Sequence, residues 1–126
     1  MLPTISINFQ TSAHVGFEKA AKLMNIELRY VPLEENYMPN LKKMKSKINS
    51  NTIMLVASAP QYPQGLIEPI EEIGKIAIDY KIPLHIDACL GGFLLGFADQ
   101  CGVKAEKFDF SVPGVTSISA DTHKVQ

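Results

Sequence analysis

The sequence predicts an α/β domain with a mostly parallel sheet and flanking helices. Two runs carry that prediction. Residues 52–57 (Thr-Ile-Met-Leu-Val-Ala) and 82–87 are apolar and of strand length, as strands buried on both faces are. Helix-period segments lie between and around them, and strand–helix alternation marks a parallel sheet. At 126 residues the chain has room for one domain or part of one.

Taken in order, residues 1–10 show no clear period and are read as an irregular lead-in. From Thr11 or Ser12 to Met24, Phe17, Ala20, Ala21 and Met24 recur at helical spacing, with a Ser hydroxyl available as the cap. Residues 26–31 alternate: Ile26, Leu28 and Tyr30 on one side, Glu27 and Arg29 on the other. That is a short, half-exposed strand. A loop over 32–39 follows. Asn40 caps a second helix over 41–48, with Leu41, Met44 and Ile48 as its buried stripe and lysines on the wet side. After the strand at 52–57, the loop at 58–65 holds two prolines and a glycine. Pro69 suits the first turn of a third helix, where a missing N–H costs nothing. Glu71 and Glu72 favour its positive end, and Ile70, Ile73 and Ala77 face inward. The second apolar strand at 82–87 leads to Gly91-Gly92 and an apolar stretch to Ala98. A loop with Lys104, Glu106 and Lys107 precedes a last strand at 115–120.

Composition excludes several classes. With 46% hydrophobic and 20% charged residues, the chain is not a disordered tail, a collagen-like rod or a disulfide scaffold. Twelve basic against 13 acidic residues give a net charge of −1, so no positive field exists to hold nucleic acid or an anionic membrane. No run approaches the roughly 20 apolar residues of a membrane span. Met1-Leu-Pro-Thr4 has no charged n-region of a signal peptide. Cys89 and Cys101 form no Cys-x-x-Cys pair and are expected as free thiols in a reducing, cytoplasmic or cytosol-facing setting.

Three places can carry chemistry. His85-Ile-Asp-Ala-Cys89 falls at the C-terminal end of a buried strand, the edge where open α/β sheets bind ligands. Alternation puts His85, Asp87 and, if the strand persists, Cys89 on one face. Asp87 is either a carboxylate aimed at a cationic ring nitrogen or a metal, or a cap for the following loop. Lys124, beside His123 and near Ser119, is either an imine-forming amine or a solvated lysine. His14, near the start of the first helix, either lies over a ligand or is a surface or capping histidine. A divalent ion held by His85, Asp87, Asp121 and His123 is the competing use, but those spacings are short and common, and no metal is expected. A nucleotide-binding domain would want a Gly-x-Gly-x-x-Gly turn, which the sequence lacks.

Together these motifs resemble the cofactor core of fold-type I pyridoxal-phosphate enzymes, the group that includes the aromatic amino acid and glutamate decarboxylases. The resemblance rests on His85-Ile-Asp-Ala-Cys-Leu-Gly-Gly92 and Ser119-Ala-Asp-Thr-His-Lys124. Ser12-Ala-His-Val-Gly-Phe-Glu-Lys-Ala-Ala21, Ser58-Ala-Pro-Gln-Tyr-Pro-Gln-Gly65 and Gly114-Val-Thr-Ser-Ile-Ser-Ala-Asp-Thr-His-Lys124 resemble the sphingosine phosphate lyase family in particular. The resemblance implies pyridoxal 5′-phosphate as cofactor. It assigns Lys124 to the covalent hold, Asp87 to the pyridine nitrogen, His14 to the ring face and Cys89 to the opposite face. His123 is assigned to the cofactor phosphate or the substrate. Lys124 and His14 are the implied catalytic residues. The implied substrate is a phosphorylated long-chain base, cleaved between Cα and Cβ to a fatty aldehyde and phosphoethanolamine. The family is homodimeric, and its eukaryotic members are anchored in the endoplasmic reticulum membrane by a segment with no counterpart here. Its members run to several hundred residues. Residues 11–126 are therefore expected to be part of the large domain, truncated at both ends and inactive alone. The alternatives are a piece of an amino acid decarboxylase of the same family, or a non-catalytic truncated product that pairs with intact subunits.

Overall fold

The computed structural model describes residues 6–124. Their elements run β1 (Ser6–Gln10), α1 (Gly16–Met24), β2 (Glu27–Val31), α2 (Leu41–Lys47), β3 (Thr52–Ser58), α3 (Ile70–Tyr80), β4 (Leu84–Asp87), α4 (Gly92–Leu95), a 3₁₀ turn (Asp99–Cys101) and β5 (Val115–Ser119). The strands form one five-stranded sheet in the order β2-β1-β3-β4-β5, and every neighbouring pair is parallel. The predicted fold class is therefore the observed one.

Residues 6–10 correct the expected irregular lead-in. They are a buried strand in the interior of the sheet, between β2 and β3. Ser6, Asn8 and Gln10 break the apolar run that would have marked it. The remainder of that expectation, residues 1–5, lies outside the described residues. Ile7 and Phe9 pack with Val56 and, from the α1 side, with Phe17 and Leu28. Alternation turns Asn8 and Gln10 to the other face. That face carries the larger core, built around Val31, Met44, Leu55, Ile73, Leu84 and Ile86.

The helices follow their local chemistry. Asn40 accepts a hydrogen bond from the Lys43 amide at 2.8 Å and starts α2 as expected. Pro69 immediately precedes α3, whose Ile70, Ile73 and Ala77 are buried. Helix α1 starts later than predicted and without a side-chain cap. Ser12 does not cap it; the hydroxyl is buried and donates to Glu68 at 3.2 Å. Among the described residues, no helix is long and apolar enough to cross a membrane.

The parallel sheet matters for function because all strand C-termini leave at one edge. The order reverses between β1 and β3: β2 lies on one side of β1, while β3, β4 and β5 run off the other. A crevice outside the carboxyl ends is expected at such a reversal.

The polar residues of β1 yield a test. Both amide atoms of Asn8 are buried without a hydrogen-bond partner among the described residues. An unsatisfied buried amide costs about 1–3 kcal/mol. Asn8→Val is therefore expected to raise the unfolding free energy by about 1 kcal/mol or more. A urea titration reads this as a higher midpoint; a lower midpoint would show that the amide is satisfied in solution.

Candidate active site

At the carboxyl edge of the sheet a cavity of about 260 Å³ is lined by His14, Asp87, Cys89 and Lys124, with Ser58, Tyr62, Pro60 and Leu90 completing the wall. Four of the five predicted site residues therefore meet in one place. His123 does not line it: its side chain is 75% exposed and stands 4.0 Å from Asp121. A larger hollow of about 390 Å³ at the start of α3 is lined by Glu71, Glu72, Lys104, Glu106 and Lys107, the mixed charges of a solvated surface.

Asp87 ends β4 and is buried. Its Oδ1 accepts from the Ser119 hydroxyl and from the Cys89 amide, each at 3.2 Å. The bond to the Cys89 amide is the predicted loop cap. Both of these bonds fall on the same oxygen, Oδ1. His85 lies two residues back on the same face. Its Nδ1 is 2.9 Å from the Ser117 hydroxyl and its ring meets Phe17 edge-on. Burial lowers its pKa, against a smaller opposing pull from Asp87, so the ring is neutral at pH 7.

Lys124 Nζ lies 2.8 Å from Asp121 Oδ2 and 3.1 Å from Cys89 Sγ. The hydrogen bond to Asp121, and after it the one to Cys89, raises the pKa of the ammonium group. Burial and then the hydrogen bond to Asp87 push the Cys89 thiol up, against the pull of Lys124, so Cys89 stays protonated at neutral pH. Both cysteines are free thiols, as predicted. Among the described residues no three His, Cys, Asp or Glu side chains converge as a metal site.

His14 serves two purposes. Its Nδ1 accepts from the Gly16 amide at 3.1 Å, which leaves the proton of the neutral ring on Nε2. The ring is exposed to solvent, lines the cavity and meets Tyr62 edge-on with centroids 5.9 Å apart.

Several contributors escaped the reading of the sequence. Ser58 is the last residue of β3 and pairs in register with Asp87, so its strand-end position was the available signal. Asp121 enters the sequence analysis only as a candidate metal ligand, and Ser119 only as a neighbour of Lys124. Glu68 precedes α3 and local pattern gives it no role. It is fully buried, with Ser12 donating to one carboxyl oxygen and the Ser58 amide to the other. Burial pushes its pKa up to about 7, against hydrogen bonds that lower it.

Such an edge, with an amine, a carboxylate and an imidazole around one small cavity, defines a class, and the sequence comparison agrees. Residues 5–126 match the family described as the pyridoxal-dependent decarboxylase conserved domain, and the chain belongs to that family. Its cofactor is pyridoxal phosphate, and the fold is that of the fold-type I enzymes. Within the family, the chain is 54% identical over 114 residues to sphingosine-1-phosphate lyase 1 of Rattus norvegicus, covering 90% of this chain and 20% of that protein. The structure of the Burkholderia pseudomallei sphingosine-1-phosphate lyase superposes with a TM-score of 0.92 at 39% identity, over 96% of this chain and 28% of that one. Glutamate decarboxylase of Lactobacillus brevis shares the fold, with a TM-score of 0.87 at 22% identity over 98% of this chain and 29% of that one. The chain thus spans about a fifth of the length of the curated relatives it matches.

The buried carboxyl of Glu68 sets a pH dependence. Its folded value of about 7 lies above the ordinary 4.5. Between these values the unfolded chain has lost the proton and the folded chain has kept it, so stability falls as pH rises and levels off above 7. Glu68→Gln is expected to remove this component, on the order of 3 kcal/mol. Urea midpoints from pH 4.5 to 8 check it: the variant should gain on the parent as pH rises, and parallel curves would assign the effect elsewhere.

Proposed function

We propose that this chain holds the cofactor in a pyridoxal-phosphate-dependent carbon–carbon lyase acting on phosphorylated long-chain bases, with a fatty aldehyde and phosphoethanolamine as products. The observation that carries this reading is the meeting of Lys124, Asp87 and His14 at one cavity. The donor set fits the cofactor: an amine for its aldehyde, a carboxylate for its ring nitrogen, an imidazole for a ring face and apolar Pro60 and Leu90 as walls.

Lys124 would hold the cofactor through Nζ. The ammonium must first lose a proton, and Asp121 Oδ2 is the adjacent acceptor. Asp87 would face the ring nitrogen through Oδ2 and keep a proton on that atom, since Oδ1 is already engaged by Ser119 and the Cys89 amide. When bound, pyridoxal phosphate supplies the electron sink for the pair released as a carbon–carbon bond breaks. His14, with its proton on Nε2, would lie over the ring and offer that N–H toward the substrate. Cys89 takes the opposite face as a neutral thiol. His123, exposed beside Lys124, is left to the cofactor phosphate or the substrate. Homodimerisation belongs to the same proposal; the exposed Phe93, Leu94 and Phe97 are surface of the kind that assemblies bury.

A decarboxylase reading uses the same groups. The lyase is favoured because lyase relatives stand at 53% and 54% identity, whereas the glutamate decarboxylase at 22% speaks for the fold alone.

Two substitutions in the full protein test the assignment. Lys124→Ala is expected to abolish the visible absorbance of covalently held cofactor. Asp87→Ala should keep that absorbance and lower turnover by roughly 10²–10³-fold, the size of one preorganised electrostatic group. Fatty aldehyde released from a phosphorylated long-chain base is the activity readout. Undiminished turnover without Asp87 would sink the ring-nitrogen assignment, and carbon dioxide release from an amino acid in place of aldehyde would favour the decarboxylase.

A further inference from the structure

The roles above leave one buried acid unused. Glu68 is completely buried, just before α3, and both of its carboxyl oxygens are bonded. Ser12 donates its hydroxyl to Oε1 at 3.2 Å, and the Ser58 amide donates to Oε2 at 2.9 Å. The Glu68 amide in turn donates to the Ser58 carbonyl at 3.1 Å. Ser12 is itself buried and stands two residues before His14 in the loop between β1 and α1. Ser58 ends β3, lines the cavity and pairs in register with Asp87. A single carboxyl group therefore bridges the loop that carries His14 to the strand end beside Asp87.

Stability does not explain the group. The charge that bears on it is another acid, Asp87, and among the described residues no basic group acts on it. A buried carboxylate without a cation is costly, and an apolar side chain would be cheaper. What a fully bonded buried polar group contributes is a defined geometry. The bridge works without charge. Protonated, the carboxyl accepts from the Ser58 amide through one oxygen and donates to the Ser12 hydroxyl through the other.

We propose that Glu68 is a positioning residue of the cofactor site: its two hydrogen bonds set the distance between the His14 loop and the β3–β4 wall, and with it the gap that receives the cofactor ring. This rests on the reading of the cavity as the pyridoxal phosphate site. Glutamine preserves the arrangement, accepting from the Ser58 amide through Oε1 and donating to Ser12 through Nε2. Alanine removes it. Ser12→Ala cuts only the arm to the His14 loop, without emptying the Glu68 position.

The experiment uses the full protein and two readouts. In ligand-free protein, the His14 ring resonances, assigned by substitution, report the setting of that side chain. Titration with pyridoxal phosphate, followed by visible absorbance, reports affinity. Glu68→Gln should match the parent in both. Glu68→Ala and Ser12→Ala should shift or broaden the His14 signals and weaken cofactor binding about tenfold or more, the scale of a site loosened by an ångström. Lys124 should still bond the cofactor at saturation, which separates loosened positioning from a lost lysine. Should Glu68→Ala fail to fold, Ser12→Ala carries both measurements. Unmoved His14 signals with parental affinity in Ser12→Ala would overturn the proposal, as would a loss in Glu68→Gln as large as in Glu68→Ala. If the parent takes up no pyridoxal phosphate, the cavity reading fails, and the His14 signals alone decide whether Glu68 sets that loop.

Discussion

Parallel pairing of β4 with β5 turns two motifs far apart in sequence into one site. The register sets Asp87 opposite Ser119. It continues past the strands, with the Ala88 amide on the Ser119 carbonyl at 3.0 Å and the Asp121 amide on the Cys89 carbonyl at 3.3 Å. The chain then turns, and Lys124 reaches back to Cys89. A slip of one residue would send Asp87 to the α3 face and part it from the lysine. The close approach behind this geometry needs glycine. A Cβ on Gly92 would come within 2.8 Å of the Ala120 Cβ, and one on Gly91 within 2.7 Å of the Ala59 carbonyl oxygen. The glycine pair is thus where the loop after β4 packs against the chain leaving β5 and the one leaving β3.

Three carboxyl groups sit around the cavity in three different settings, and that difference distributes their work. Asp121 is half-buried and held below the ordinary carboxylate range, first by its hydrogen bond to Lys124. It is therefore charged, and it can hold the ammonium or take its proton. Glu68 is buried without a cation and keeps its proton to near neutrality, which suits it to structure. Asp87 is buried at the strand end, with Oδ1 held by the Ser119 hydroxyl and the Cys89 amide. The environments of Asp121 and Glu68 separate the protonation of two like groups, and with it their tasks.

Much of this was open to a reading of the sequence, and the exceptions have physical causes. The apolar run of β3, the Asn40 cap of α2 and the stripe of α3 all agree with local pattern, so pattern found them. Strand β1 was missed because alternate positions are Ser6, Asn8 and Gln10, buried polar residues in the place of apolar ones. The start of α1 was placed too early because Ser12, a good cap by type, spends its hydroxyl on Glu68 instead. Glu68 went without a role for a related reason: a glutamate before a proline and a helix carries no local sign of burial. The tertiary contact that buries it spans 56 positions and leaves no trace in local spacing. Adjacency misled in the opposite sense for His123, which is next to Lys124 in sequence but outside the cavity.

Asp87 shows why the modest reading and the functional one need not compete. As a cap, it accepts from the Cys89 amide two residues on. That bond turns the chain sharply out of β4 and brings Cys89 to the cavity wall beside Lys124. The Ser119 hydroxyl, arriving from β5, holds the same oxygen from the other side. Two donors on Oδ1 restrain the carboxylate plane, and the direction of Oδ2 follows from that restraint. A catalytic carboxylate needs such fixed aim, because a side chain free to rotate would lose the benefit of preorganisation. The capping bond would therefore supply the orientation that the role proposed for Asp87 at the ring nitrogen requires.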